Sequence, residues 1–376
     1  MIYLDNCSTT RVDDDVAALV LSCMKEDFGN PSSLHHFGMD AYQIVGNARA
    51  QIASMIGAPT DAVHFCSSGS DANRTALLGT AYTFKEKGRT IVTTAIEHSS
   101  VLKPLRNLEE EGFKVRYVMP DQKERRMKAE DILDAVDEDT ILLSMMHANN
   151  ETGEILPVQE VIEGVRKKNP HTLIHIDCVQ SFGKIPVELY KMKADMLTAS
   201  GHKIHAPKGI GFLYIRSGLV LKSPFFFGAQ EKGYHPGTEN VPAIAGFGLA
   251  TEKAMNSMWK TLPYIQSLND HLRRRLKEIP GLLIHSSEDA IPYVLNISLP
   301  GHDSHDMINE LGKADIYVSA GAACNKNERS HVLKALGYSE EEVNSALRIS
   351  FSYHNTIEEL DIFTDALRTI AQGDRT

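Results

Sequence analysis

Lys203 ends the run Ser200-Gly201-His202-Lys203, which follows the apolar stretch DMLTA and precedes a turn, HAPKGIG, that opens the next apolar run, FLYIR. A lysine placed there is presented at a sheet edge, and a merely solvated lysine would need no Ser-Gly-His before it. Asp177 ends a second apolar run, TLIHID. An amine for covalent attachment and a carboxylate near a pyridinium nitrogen are what a pyridoxal phosphate (PLP) site requires. Taken alone, an aspartate ending a strand is a turn residue or a cap, and its company with Lys203 is what singles it out. Ser68-Gly69-Ser70-Asp71 opens the helical pattern DANRTALLGTAY. Hydroxyls and backbone N–H groups at a helix start suit a phosphate, although the same residues also read as an ordinary serine-capped helix. Cys324 lies in SAGAACNKNERS, a Gly/Ala-rich stretch followed by polar residues. That composition reads as a loop, which would leave a nucleophilic thiol accessible.

Several elements must position these groups. From about residue 60 to 220, seven short runs (VHFCSS, TIVTTAI, KVRYVMP, TILLSMMHA, TLIHIDCV, DMLTAS and GFLYIR) alternate with amphipathic stretches. The alternation predicts a mostly parallel seven-stranded sheet with helices on both faces, an α/β fold. Ligand chemistry then gathers at the carboxyl ends of the strands. The polar clusters SSGSDAN, EHSS, NNETG and SGHK fall there. After about residue 240 a long helical region, interrupted near Pro263, leads into GLLIHSS, YVLNISLP, IYVSAG and RISFSYH alternating with helical patterns. Ser339 with Glu342, and Thr356 with Glu359, have capping-box spacing. The expected organisation is a large domain over 15–255 and a smaller α/β domain built from 1–14 and 256–376.

A chain of 376 residues, 42% hydrophobic and 23% charged, supports cores of that size. A formal charge of −10 argues against a nucleic-acid binder. No basic-then-apolar leader and no membrane-length apolar run is seen, so a cytoplasmic protein with no membrane partner is expected. Cys7, Cys23, Cys66, Cys178 and Cys324 show no CxxC spacing, so neither zinc nor a disulfide framework is indicated.

The motifs YLDNCSTT, GNPSSLH, SSGSDAN, EHSSV, NNETG, HIDCVQSFGKIPV, SGHKIHAPKGIGFLY, HPGTEN, SAGAACN, SHVLKALG and RISF, in this order, run nearly end to end. In them the chain resembles the cysteine desulfurases of the NifS/IscS type, in the class V aminotransferase group of fold type I PLP enzymes. The resemblance implies that Lys203 carries the cofactor, Asp177 pairs with the pyridine nitrogen and His98 stacks on the ring and moves protons. It further implies that Asn150 and Gln180 contact the ring oxygen, while Gly69, Ser70, Ser200 and His202 hold the phosphate. Thr238 would reach the phosphate of a neighbouring subunit, so a homodimer with shared active sites is implied. Arg348 would fork onto the substrate carboxylate, a geometry that favours arginine over lysine. Asn30 would line the substrate side, and Cys324 would take sulfur from L-cysteine as a persulfide, leaving alanine. The sulfur would go on to an acceptor protein for iron–sulfur clusters or for thiolation of tRNA or cofactors.

Without the resemblance these residues read differently. His98 is as well explained as a strand-end cap, Arg348 as a surface or salt-bridge residue and Asn150 as a turn former. The sequence also departs from the family pattern. Cys7-Ser8 replaces an Ala-Ala pair, Ser70-Asp71 replaces Thr-Glu, Cys178 replaces an alanine and His235 stands where arginine is common. A histidine titrates near neutrality, so any charge it carries is pH-dependent. Two other functions are compatible with the motifs: a related PLP lyase or aminotransferase, for example one acting on selenocysteine, and a weakly active scaffold subunit.

Overall fold

A computed structural model describes residues 1–225, 228–321 and 329–373. In chain order its strands are β1 (Ile2–Tyr3), β2 (Val63–Cys66), β3 (Thr90–Thr94), β4 (Lys114–Val118), β5 (Thr140–Met146), β6 (Leu173–Asp177), β7 (Met196–Ser200), β8 (Gly211–Ile215), β9 (Leu283–Ile284), β10 (Val294–Ser298), β11 (Ile316–Tyr317) and β12 (Ala346–Ser350). The seven expected runs all form strands of one sheet, in the order β2-β8-β7-β6-β5-β3-β4. Every neighbouring pair is parallel except those made by β8, which runs against both β7 and β2. Strands β3, β5, β6, β7 and β8 are buried along their whole length, as a sheet covered on both faces requires. The edge strand β4 is more exposed and carries Lys114 and Arg116, charges that discourage pairing with another edge.

The helix Gly69–Phe84 crosses this sheet against β5, β6, β7 and β8. Strand β8 passes so close to its first turn that a Cβ on Gly211 would lie 2.6 Å from the Ser68 carbonyl carbon and 2.8 Å from Gly69 N. Any side chain there would push the loop away.

The C-terminal part has its own antiparallel sheet, β12-β10-β9, and the N-terminus joins it. Strand β1 pairs in parallel with β11, and Ser350 N donates to Leu4 O. Leu4, Ile265, Leu272, Leu295, Ile349, Phe363 and their neighbours form a core distinct from that of the large sheet. Both capping boxes are realised, with reciprocal bonds at Ser339/Glu342 and Thr356/Glu359. One expectation is corrected. The helix Val241–Leu276 runs straight through Pro263 for 36 residues. A proline removes one N–H and crowds the carbonyl four residues earlier; that carbonyl belongs to Trp259, and both residues are exposed.

Candidate active site

The carboxyl ends of β2, β3, β5, β6 and β7 surround a cavity of about 310 Å³. Its lining includes Gly69, Ser70, His98, Asn150, Asp177, Gln180, Ser200, His202, Lys203 and Arg348. All four polar clusters expected at strand ends therefore meet in one place. Asn30 and Thr238 do not line it, and both are exposed. Cys324 lies outside the described residues.

Lys203 ends a single 3-10 turn after β7. Its Nζ donates to Cys7 O at 2.6 Å and Ser8 O at 2.8 Å, which aims the amine across the cavity toward the N-terminal segment. Burial lowers its pKa to about 8, so a reactive fraction of neutral amine exists near physiological pH. Asp177, at the end of β6, accepts from Asn73 Nδ2 at 2.7 Å and Val179 N at 2.8 Å. Burial pushes its carboxyl upward, and the coulombic pull of His98 and Lys203 works against that. A cation placed at this carboxylate would be strongly favoured.

Ser68 caps the helix Gly69–Phe84 by accepting from Asp71 N at 3.1 Å. A Cβ on Gly69 would sit 2.7 Å from Val179 Cγ2 and 3.2 Å from Ser200 Cβ. Only glycine leaves that bay open, at the end of the helix where N–H groups and the macrodipole attract an anion. Ser70, Ser200 and His202 border the same cavity; His202 is tied to Thr9 Oγ1 at 3.1 Å, and burial keeps its ring neutral.

The strand-end-cap reading of His98 holds, and the ring also borders the cavity. It caps the helix Ser99–Glu110, its Nδ1 accepting from Ser100 N at 3.1 Å, and it lines the cavity. An Nδ1 that accepts leaves the ring proton on Nε2 when the ring is neutral. Asn150 contributes an Oδ1 that is buried with no partner among the described residues, a cost that a ligand can relieve. Gln180 is held from behind, donating to Cys7 O at 3.1 Å and accepting from Lys184 Nζ at 3.0 Å.

Arg348 is no surface residue; it is 1% exposed. Its terminal nitrogens reach Asp5 Oδ1 at 2.9 Å, Ser8 Oγ at 2.7 Å and Asn150 O at 2.9 Å, while Nε has no partner among the described residues. Asp5 thus holds the guanidinium in place. A substrate carboxylate would share Arg348 with it.

The departures from the family pattern also find places. His235 Nδ1 lies 2.9 Å from Asp71 Oδ2, and Arg74 approaches the other Asp71 oxygen at 3.2 Å while stacking on Phe225. The Asp71 carboxylate beside it raises the His235 pKa. Cys7 is buried at the cavity wall, and burial drives the Cys178 thiol far up, so Cys178 is a packing residue. Asn73, Ser100, Ser8 and Asp5 were not singled out from the sequence. Only the acidic or polar character of the N-terminal LDNCS stretch hinted at the last two.

A larger hollow of about 810 Å³ also touches Lys203, and the Asp13, His205 and His354 beside it have metal-ligand types. Asp13 is already engaged there by Lys253 and by the Tyr353 hydroxyl. Neither Gly69 nor Asp177 lines it, so the smaller cavity is where the chemistry converges.

A profile of the aminotransferase class-V family matches residues 2–363. The cysteine desulfurase IscS of Dictyoglomus turgidum is 36% identical over 379 residues, covering 100% of this chain and 95% of the relative. The IscS of Methanosarcina thermophila is 36% identical, covering 99% and 92%. Among solved structures, a NifS-like protein superposes with a TM-score of 0.93 at 38% identity, covering 98% of each chain. SspA, solved in complex with cysteine, does so at 0.84 and 29% identity, covering 94% of this chain and 99% of its own.

Proposed function

Because this chain belongs to the aminotransferase class-V family, we propose that it is a PLP-dependent cysteine desulfurase, converting L-cysteine to L-alanine and passing the sulfur to Cys324 as a persulfide. The observation that carries this reading is one cavity in which Lys203, the buried Asp177 carboxylate and the Gly69 bay face each other. The residues fit the cofactor: an amine of lowered basicity, a carboxylate suited to a ring cation, an anion bay closed to any Cβ, and an unpartnered amide oxygen on Asn150.

Lys203 would carry the cofactor, Asp177 its ring nitrogen, Gly69, Ser70, Ser200 and His202 its phosphate, and Asn150 and Gln180 its ring oxygen. When bound, PLP supplies an electron sink that labilises the Cα–H and Cβ–S bonds of an amino acid. Arg348, oriented by Asp5, would bind the substrate carboxylate. His98 would lie beside the bound cofactor with its proton at Nε2 when neutral, and Lys203 Nζ would exchange one near neutral pH. The Cys324 thiol receives the sulfur atom while alanine leaves, so that cysteine and a thiol become alanine and a persulfide, with atoms balanced. A sulfur-acceptor protein, serving iron–sulfur clusters or thiolation, then takes it.

A homodimer completes the outer side. Leu21, Met24, Phe28, Leu34, Met39 and Tyr42 are exposed along one segment beside Asn30, a concentration of apolar surface that favours a protein partner. Thr238, exposed on its loop, would reach a neighbour's phosphate site. The domain division at 15–255 against 1–14 with 256–376 is supported by the core of Leu4, Ile265, Leu295 and Ile349, drawn mostly from the smaller part, while Val332, Ala335 and Leu336 pack with the large sheet. Cytoplasmic location is supported by four free buried cysteines; no helix among the described residues is long and apolar enough to cross a membrane.

The test is the visible absorption of the purified protein before and after borohydride, followed by alanine release from L-cysteine by wild type and Cys324→Ser. A reducible band with Cys324-dependent alanine is expected. A band with Cys324-independent turnover selects another PLP reaction, and no band refutes the cofactor assignment.

A further inference from the structure

Behind the cavity floor a file of buried polar side chains crosses three strands of the sheet. Ser144 on β5 stands opposite His175 on β6, and Thr198 on β7 stands opposite Asp177. Alternation along β6 puts His175 and Asp177 on one face. The helix Gly69–Phe84 packs on the sheet there and adds Asn73. Ser144, His175 and Thr198 are fully buried and Asn73 is 1% exposed, so none of their polar atoms can rely on water.

The contacts are continuous. Asn73 donates one amide hydrogen to Asp177 Oδ2 at 2.7 Å and the other to Ser100 Oγ at 2.9 Å. Asn73 Oδ1 accepts from the Thr198 hydroxyl at 2.5 Å. Thr198 Oγ1 is 3.1 Å from His175 Nε2, and His175 Nδ1 is 2.9 Å from Ser144 Oγ. A carboxylate only accepts, so the Asn73 amide must face Asp177 with its nitrogen. Its oxygen then takes the single Thr198 proton. Thr198 is left to accept, so His175 must donate from Nε2 and accept at Nδ1 from Ser144. Burial holds the His175 ring neutral, with a pKa near 3, which gives it one N–H to place. Every hydrogen in the file therefore points toward Asp177. Through Ser100, whose hydroxyl is 2.8 Å from His98 Nδ1, the same asparagine also fixes His98.

We propose that Asn73, backed by Thr198, His175 and Ser144, is a positioning residue that keeps Asp177 ionised and aimed at the cofactor's ring nitrogen while locking His98 over the same cavity. The proposal rests on the PLP reading. Burial alone would favour the neutral acid at Asp177, which could not balance a pyridinium charge. A file of aligned donors polarises along its length and offsets that cost. The Thr198 hydroxyl is the link that can be removed with least change of shape.

Two measurements test this. In the cofactor-free protein, nitrogen NMR of labelled histidine, assigned with His175→Gln, should show His175 neutral and protonated at Nε2; an Nδ1-protonated ring overturns the direction of the file. That result does not depend on any cofactor. PLP affinity should then fall about tenfold in Thr198→Val, the worth of one hydrogen bond, and return to within about twofold in Thr198→Ser. The analogue with C–H in place of the ring nitrogen should bind wild type and Thr198→Val alike. Equal losses for both ligands, or no loss for PLP, overturn the proposal. Failure of wild type to bind PLP at all would overturn the cofactor reading instead, with the NMR result still standing.

Discussion

The floor of the cavity and the exposed segment around Asn30 are built on opposite plans. On the floor, Lys203, Asp177, His98 and Gln180 are each held by bonds from within the same chain, and Gly69 is confined by Val179 and Ser200. Outside it, Asn30 and Thr238 are exposed, and large apolar side chains face solvent at Phe28 and Leu34. A parallel sheet assembles the reacting groups of one chain without help, because strand ends are fixed by the ladder. The exposed apolar segment is the surface that the proposed homodimer would bury.

The comparison breaks most completely at Lys203. Lys203→Ala should abolish the reducible band and lower alanine formation by on the order of 10³-fold or more, measured as alanine from L-cysteine. If substantial turnover survives, the floor is not where the chemistry occurs. The exposed segment is tested by Phe28→Glu with Leu34→Glu. These charges should convert a dimer to a monomer by light scattering, with activity falling as the shared sites are lost and the fold unchanged by circular dichroism. A monomeric wild type would remove the contrast altogether.

Gly69→Ala is a smaller perturbation on the floor. Its methyl would meet Val179 at 2.7 Å, and overpacking of about 1–3 kcal/mol should weaken PLP binding by about 10- to 100-fold in an equilibrium titration. The Lys203 amine gives a pH signature. Attachment of PLP to the cofactor-free protein requires the neutral amine, so its rate should climb about tenfold per pH unit and level off above the Lys203 pKa of about 8. The smallest effect belongs to His235. Pairing with Asp71 raises the His235 pKa in the folded protein, so the stabilisation is complete below the unfolded histidine value and is lost as pH rises through the folded one. With His235 a third exposed, the pair should contribute less than about 1 kcal/mol. Thermal melts of wild type and His235→Gln should converge at alkaline pH.

Local grammar made much of this legible in the sequence. A strand ending in a polar cluster is a contiguous signal, and so the seven strands, the Ser68 cap, Lys203, Asp177 and the meeting of four loops could be read from runs of a dozen residues. The resemblance added His98, Asn150, Gln180 and Arg348, which local pattern left undecided. Pro263 misled, because a proline's cost in a helix depends on its surroundings, and only the folded chain shows that Trp259 and Pro263 lie on the exposed side.

What the sequence alone determined is therefore the set of elements and the chemical types at their ends. The tertiary structure decided how those groups are held. Thr198 and His175 join Asp177 only because β5, β6 and β7 pair in one register, and a shift of one residue would turn every one of those side chains to the other face. Asp5 meets Arg348 across 343 residues, where the N-terminal segment lies along the C-terminal sheet. No local signal encodes a contact of that span; it follows from the packing of two cores, and with it the orientation of the groups that do the chemistry.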